Sequence, residues 1–127
     1  MTGGQTIDPV VAPAGTRHIN DMTDALQPKI AFKILTDAQW AQFEEEGIFH
    51  GAPVDIADGY IHLSTDEQLQ GTLDKHFAGQ LGLVIVAVDL DSLGYLVKWE
   101  VSRGDALFPH IYGPLPMTAV LRVERRL

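Results

Sequence analysis

The order of polar and apolar positions changes character at Ile30. Before it, residues 1–28 hold three prolines and three glycines with no sustained period. That predicts an irregular tail and sets His18 aside. From Ile30 the stretch "IAFKIL" alternates, with Phe32 and Ile34 on one side, and predicts a first strand. "TDAQWAQFEEEG" follows with helical spacing: Trp40 and Phe43, three apart, share a buried face. Thr36 with Gln39 makes a capping box, and Gly47 marks the C-terminal stop.

"DGYIHLST" at 58–65 reads as a turn into a short strand. Ser64 or Thr65 then caps a second helix, "DEQLQGTLDKHF", with Glu67 and Gln68 each at capping-box distance. "LGLVIVAVDL" is apolar on both faces, as a central strand is. "DSLG" turns the chain, "YLVKWEV" is the next strand, "SRGDALFPHIYGPLP" a loop and "MTAVLRVER" the last strand. The predicted order is β-α-β-α-β-β-loop-β. It describes a single α+β domain over residues 29–127, with a mixed or antiparallel sheet and two helices.

Alternation also sorts the residues that carry chemistry. In "GYIHLS", Ile61 and Leu63 point one way, into a core. Tyr60, His62 and Ser64 point the other way, beside a helix entrance where Ser64, Thr65 and backbone donors suit an anion. In "VKWEVS", Glu100 is a strand carboxylate next to Trp99, an aromatic candidate for ligand contact. In "FPHIYGPLP", an extended path puts His110 and Tyr112 on one side, and three prolines stiffen it. Rigidity of that kind serves to hold a side chain in place. His50 and His76 read as structural, His76 near a helix end that favours a partly charged imidazole.

Composition narrows the classes of function. The 127 residues, 46% of them hydrophobic, suffice for one core. The longest apolar run, Leu81 to Leu90, is broken by Gly82 and Asp89 and is too short for a membrane span. The first residues lack the charged-then-apolar pattern of a signal peptide, so a cytoplasmic protein is expected. The absence of cysteine excludes disulfides, thiolate metal sites and a cysteine nucleophile. A net charge of −8 argues against a general nucleic-acid binder, and "RVERR" at 122–126 reads as a solvated strand end. Oligomeric state is not legible in the chain.

Together, "FKILT" with its following tryptophan, "GYIHLST", "VKWE" and "FPHIYGPL" resemble the bacterial family catalogued as domain of unknown function 952, over about Ile30 to Glu124. "FPHIYGPL" is the most specific element. That family in turn resembles the ADP-ribosyltransferase fold, nearest its RNA 2′-phosphotransferase branch. That branch carries "HLS" before a helix and an apolar strand ending in a "VDA"-like turn. Here "IHLS" occupies 61–64 and "VIVAVDLDSLG" 84–94. The resemblance implies a split, twisted sheet with a cleft for NAD, whose nicotinamide-ribose end His62 and Ser64 would line. Lys33 stands where related transferases often carry histidine, which makes it a candidate ligand contact. By the same resemblance Glu100 would be the strand carboxylate that binds a ribose 2′-hydroxyl. The phosphotransferase's arginines are not reproduced, Arg103 being the sole arginine near the motifs, which argues against RNA phosphate removal.

The leading expectation is therefore a cleft for NAD or a related nucleotide, with cleavage of the nicotinamide glycosidic bond as its reaction. Glu100 would stabilise an oxocarbenium-like transition state, His62 and Tyr112 would orient ribose or phosphate, and His110 would carry the proton. One alternative is a non-catalytic module binding an anionic metabolite at the start of the second helix. Another is a metal-dependent hydrolase built on His62, His110 and Glu100. No H-x-H, H-x-x-H or E-x-x-H spacing supports it, and no metal is expected. Nucleophile-elbow, dinucleotide and Walker motifs are absent as well.

Overall fold

The computed structural model describes residues 27–126. The predicted tail up to residue 26, with His18, lies outside the described residues. Strand β1 (Ile30–Thr36) runs into helix α1 (Asp37–Glu46) through the expected capping box: Thr36 Oγ1 accepts from Gln39 N at 3.1 Å, and Gln39 Oε1 accepts from Thr36 N at 2.9 Å. Gly47, at φ 75°, ends the helix in the left-handed conformation that glycine adopts without strain. Trp40 and Phe43 are buried on one face, edge to face at 5.5 Å between ring centroids. Burial of Phe43 alone contributes about 2 kcal/mol.

Strand β2 (Ile48–Phe49) leads to a helix that the periodicity did not predict, α2 (Pro53–Asp58). Two helices were expected; α2 makes a third among the described residues, and its six residues are too few to show a helical period. Strand β3 (Ile61–His62) precedes α3 (Asp66–His76). Of the two proposed caps Thr65 is the one used, with Gln68 completing the box, so Ser64 is released from that task. Strand β4 (Leu83–Asp89) is buried along nearly its whole length. Then come β5 (Val97–Val101), β6 (Leu107–Ile111), β7 (Leu115–Pro116) and β8 (Val120–Arg126).

All pairings among the described strands are antiparallel, so the mixed alternative gives way to the antiparallel one. One three-stranded sheet has the order β1-β4-β8, another β3-β6-β5, and β2 pairs with β7. The two larger sheets meet at a bridge between Phe32 and Ser64, where backbone bonds of 2.7 and 2.9 Å run both ways. Ala31, Leu35, Val84, Val86 and Val88 join Trp40, Phe43, Ile61, Leu63 and Ile111 in the main core. On the other face of the first sheet, Ile34, Leu83 and Ile85 pack under Leu69 and Leu73 of α3.

The segment expected as a loop contains β6, the central strand of its sheet, which corrects that expectation. Proline is normally excluded from such a position because it cannot donate to the ladder. Here Pro109 gives up little. Its carbonyl accepts from Leu63 N at 3.0 Å, just beyond the end of β3, so its missing N–H falls where β3 has already stopped. No helix among the described residues is long and apolar enough to cross a membrane.

Candidate functional site

The site is a sheet face. Alternation along three adjacent strands puts Tyr60, His62 and Ser64 in one row, Phe108, His110 and Tyr112 in the next, and Lys98 and Glu100 in the third. Ile61, Leu63, Ile111 and Trp99 occupy the opposite, core-facing side. His62 and His110 are direct cross-strand partners, as are Lys98 and His110.

The middle row is bound to the third by Glu100. Its Oε1 lies 2.7 Å from His110 Nδ1, and Tyr112 donates its hydroxyl to the same carboxylate at 2.8 and 2.9 Å. Tyr60 stacks on His110 at 4.3 Å and stands 5.1 Å from Tyr112. Lys98 lies over the Tyr112 ring at 5.3 Å. Burial pushes the His110 imidazole below its ordinary range, and the bond and charge of Glu100 only partly offset this. Burial would raise Glu100, but hydrogen bonds from His110 and Tyr112, with the charges of His110 and Lys98, hold it below the usual carboxylate range. The bond to Glu100 pushes Tyr112 up to about 12.

A second group lies behind His62, and its centre is Asp55 of α2. This carboxylate is 1% exposed and accepts from Lys33 Nζ at 2.8 and 3.1 Å, from Ala52 N at 2.7 Å and from His62 N at 3.1 Å. Its Oδ1 is also 2.6 Å from His62 Nδ1. Burial would raise Asp55, but the charge and hydrogen bond of Lys33, helped by His62 and Ala52, keep it below the carboxylate range. Burial pulls Lys33 down in spite of the ion pair. Sequence reading passed over Asp55. The signals were Pro53 at the first helical position, an acid two residues on and Gly59 as the stop, together spelling a short capped helix.

The open space is a cleft of about 640 Å³, within the roughly 300–1,000 Å³ of small-molecule sites. His62, Ser64 and His110 line it from the sheet face, and Lys33 reaches it from β1. Phe32, Ile34, Phe77 and Phe108 make its apolar walls, and Lys75 and His76 of α3 line it as well. His76, read as structural, is thus also a wall of the cleft. Ser64 Oγ is 2.8 Å from Thr72 Oγ1 on α3, and Asp58 Oδ2 is 3.0 Å from His62 Nε2.

Five of the predicted residues do not line the cleft: Tyr60, Glu100 and Tyr112 stand beside His110 on the sheet face, and Trp99 and Thr65 stand elsewhere. Trp99 packs against the core and borders a separate hollow of about 150 Å³ with Pro28 and Leu90. The Thr65 hydroxyl is engaged in capping Gln68 N at 3.2 Å. The cleft runs along the C-terminal half of α3, whereas the start of that helix, where an anion was expected, carries Asp66 and Glu67. The metal arrangement weighed above is not assembled either: both nitrogens of His62 stand on carboxylates of α2, while Glu100 serves His110. Among the described residues no group of three or more His, Asp or Glu side chains is placed to hold a metal ion.

Comparison with known proteins adds relatives. No curated protein matches the chain. The crystal structure of protein CC0527 from Caulobacter crescentus is 48% identical, with a TM-score of 0.74 over 76% of this chain and 84% of that one. The solution NMR structure of CC0527 is 47% identical over the same shares, with a TM-score of 0.69. The family model "Protein of unknown function (DUF952)" matches residues 34–123, which take in strands of all three sheets, the three α-helices and every residue of the cleft except Phe32 and Lys33. The chain belongs to the DUF952 family.

Proposed function

We propose that the cleft binds a nucleotide-type small molecule, with NAD the leading candidate, and that His110 is the group that moves a proton there. One observation carries the reading: a buried histidine, fixed through Nδ1 by a carboxylate, forms the wall of a cleft of nucleotide scale. The bond to Glu100 sets the tautomer, so Nε2 of the neutral ring is the accepting nitrogen. Phe77 and Phe108 offer apolar faces to a flat ring, and Lys75 and His76 suit an anionic group at the same wall.

Within this reading the chain is a small ADP-ribosyltransferase-like domain and the reaction is cleavage of a ribosyl glycosidic bond. The two larger sheets meet at the Phe32–Ser64 bridge with the cleft beside the join, and this arrangement supports the likeness. Glu100 has a different part from the one first expected. Its carboxylate is taken by His110 and Tyr112, so it acts through His110 as a positioning residue rather than by touching ribose. Calorimetric titration of NAD tests the reading. It predicts saturable heat that weakens about tenfold in Phe108→Ala, the loss of one stacking wall being worth roughly 1–1.5 kcal/mol. No heat with millimolar NAD sinks it.

A second reading, a non-catalytic module for an anionic metabolite, draws on Lys75 and His76. Thermal stabilisation by simple sugar phosphates but not by NAD would favour it.

A further inference from the structure

His62 and His110 face each other across the β3–β6 pair, their rings edge to face with centroids 5.3 Å apart. Each has its Nδ1 on a carboxylate from another part of the chain, His62 on Asp55 and His110 on Glu100. Both rings line one cleft. The cleft therefore holds two histidine–carboxylate dyads side by side, where a single proton transfer needs one.

The dyads differ at Nε2. Asp58 Oδ2 stands 3.0 Å from His62 Nε2, and an ionised carboxylate only accepts. With Asp55 on Nδ1, His62 has a carboxylate acceptor at each ring nitrogen, the arrangement that suits a proton donor. His110, with Nδ1 on Glu100, offers Nε2 as an acceptor, the form of a base.

We infer that His62 and His110 are an acid–base pair that hydrolyses the N-glycosidic bond of a neutral-base nucleoside phosphate. The inference rests on the nucleotide-type reading of the cleft and narrows its substrate class. Nicotinamide leaves NAD as a neutral molecule and needs no proton, so a positioned acid adds nothing there. A neutral purine or pyrimidine leaves as an anion unless it is protonated, and there an acid lowers the barrier. In the step, a water oxygen bonds to the anomeric carbon as its proton passes to His110 Nε2. The carbon–nitrogen bond breaks with its electron pair on the base, and His62 Nε2–H protonates that base. Solvent then resets both rings. Asp58, its side chain 45% exposed at the end of α2, has room to turn aside as the base arrives. Lys75 and His76 supply the wall for the phosphate.

The test incubates the full chain with inosine 5′-monophosphate, adenosine 5′-monophosphate and NAD, measuring released base by chromatography and binding by calorimetry. Release from a monophosphate should outpace nicotinamide release. His62→Gln and His110→Gln should each slow it about a hundredfold or more while binding changes little. Glu67→Gln, on the exposed first turn of α3, should leave it unchanged. Asp58→Asn keeps the test valid if the histidine variants misfold: it touches an exposed side chain and should slow release without weakening binding. Monophosphates that bind but release no base overturn the inference and leave the cleft reading standing. Base release from a monophosphate that survives His62→Gln at the full rate overturns it as well. If no nucleotide binds, the cleft reading itself falls.

Discussion

Asp55 Oδ2 lies 2.8 Å from Lys33 Nζ, and the two side chains are 1% and 8% exposed. This ion pair ties α2 to β1 and, through the bonds of Asp55 to His62, holds a cleft histidine from behind. Breaking it from one side should be severe. Asp55→Ala leaves the Lys33 ammonium buried without its carboxylate and should cost about 3–5 kcal/mol. Lys33→Met with Asp55→Leu removes both charges and should cost clearly less than the sum of the single changes. Urea unfolding of the three variants checks the order.

Acid should unfold the protein in stages. His110 is held below its ordinary value in the folded state, so the unfolded chain takes up that proton first. Stability is full above about pH 6.5, the ordinary histidine value, and declines as pH falls through the lower folded value. Asp55 is depressed too, so its contribution is present above about pH 4 and is lost as pH falls through its lowered value. Melting temperature against pH should show both declines, and His110→Gln should remove the first.

Tyr112 should ionise late. Its hydroxyl donates to Glu100, which pushes it up to about 12. Ultraviolet titration of tyrosinate should show a late phase that Tyr112→Phe abolishes. Glu100→Gln should return that phase toward the ordinary tyrosine value of about 10.

Thr65 should behave as a cap and nothing more. Thr65→Ala should cost about 1 kcal/mol, because the hydroxyl accepts from Gln68 N. Ligand affinity should be unchanged, in contrast to Phe108→Ala in the cleft wall.

The polar face of the site was legible because strand alternation is strict. A period of two places Tyr60 with His62 and Lys98 with Glu100 whatever the partners are. The His110–Tyr112 pair came through as well, although its segment was read as a loop, since an extended backbone alternates in either case. Pro109 misled because its rule concerns ladder bonds, and whether a bond is lost depends on where the neighbouring strand ends. The Lys33–Asp55 pair was illegible for another reason. The residues are 22 apart, and nothing local in "KILT" or "PVDIAD" shows that one lies over the other. The convergence of α3 on the cleft through Lys75, His76 and Phe77 likewise depends on how the helix packs, not on its own period.

The most direct measurement is a two-dimensional amide NMR titration of the labelled protein with a nucleotide. The account predicts shifts concentrated at residues 32–34, 62–64, 72–77 and 108–110, the backbone around the cleft. Shifts confined to other surfaces, or none at millimolar nucleotide, would contradict it.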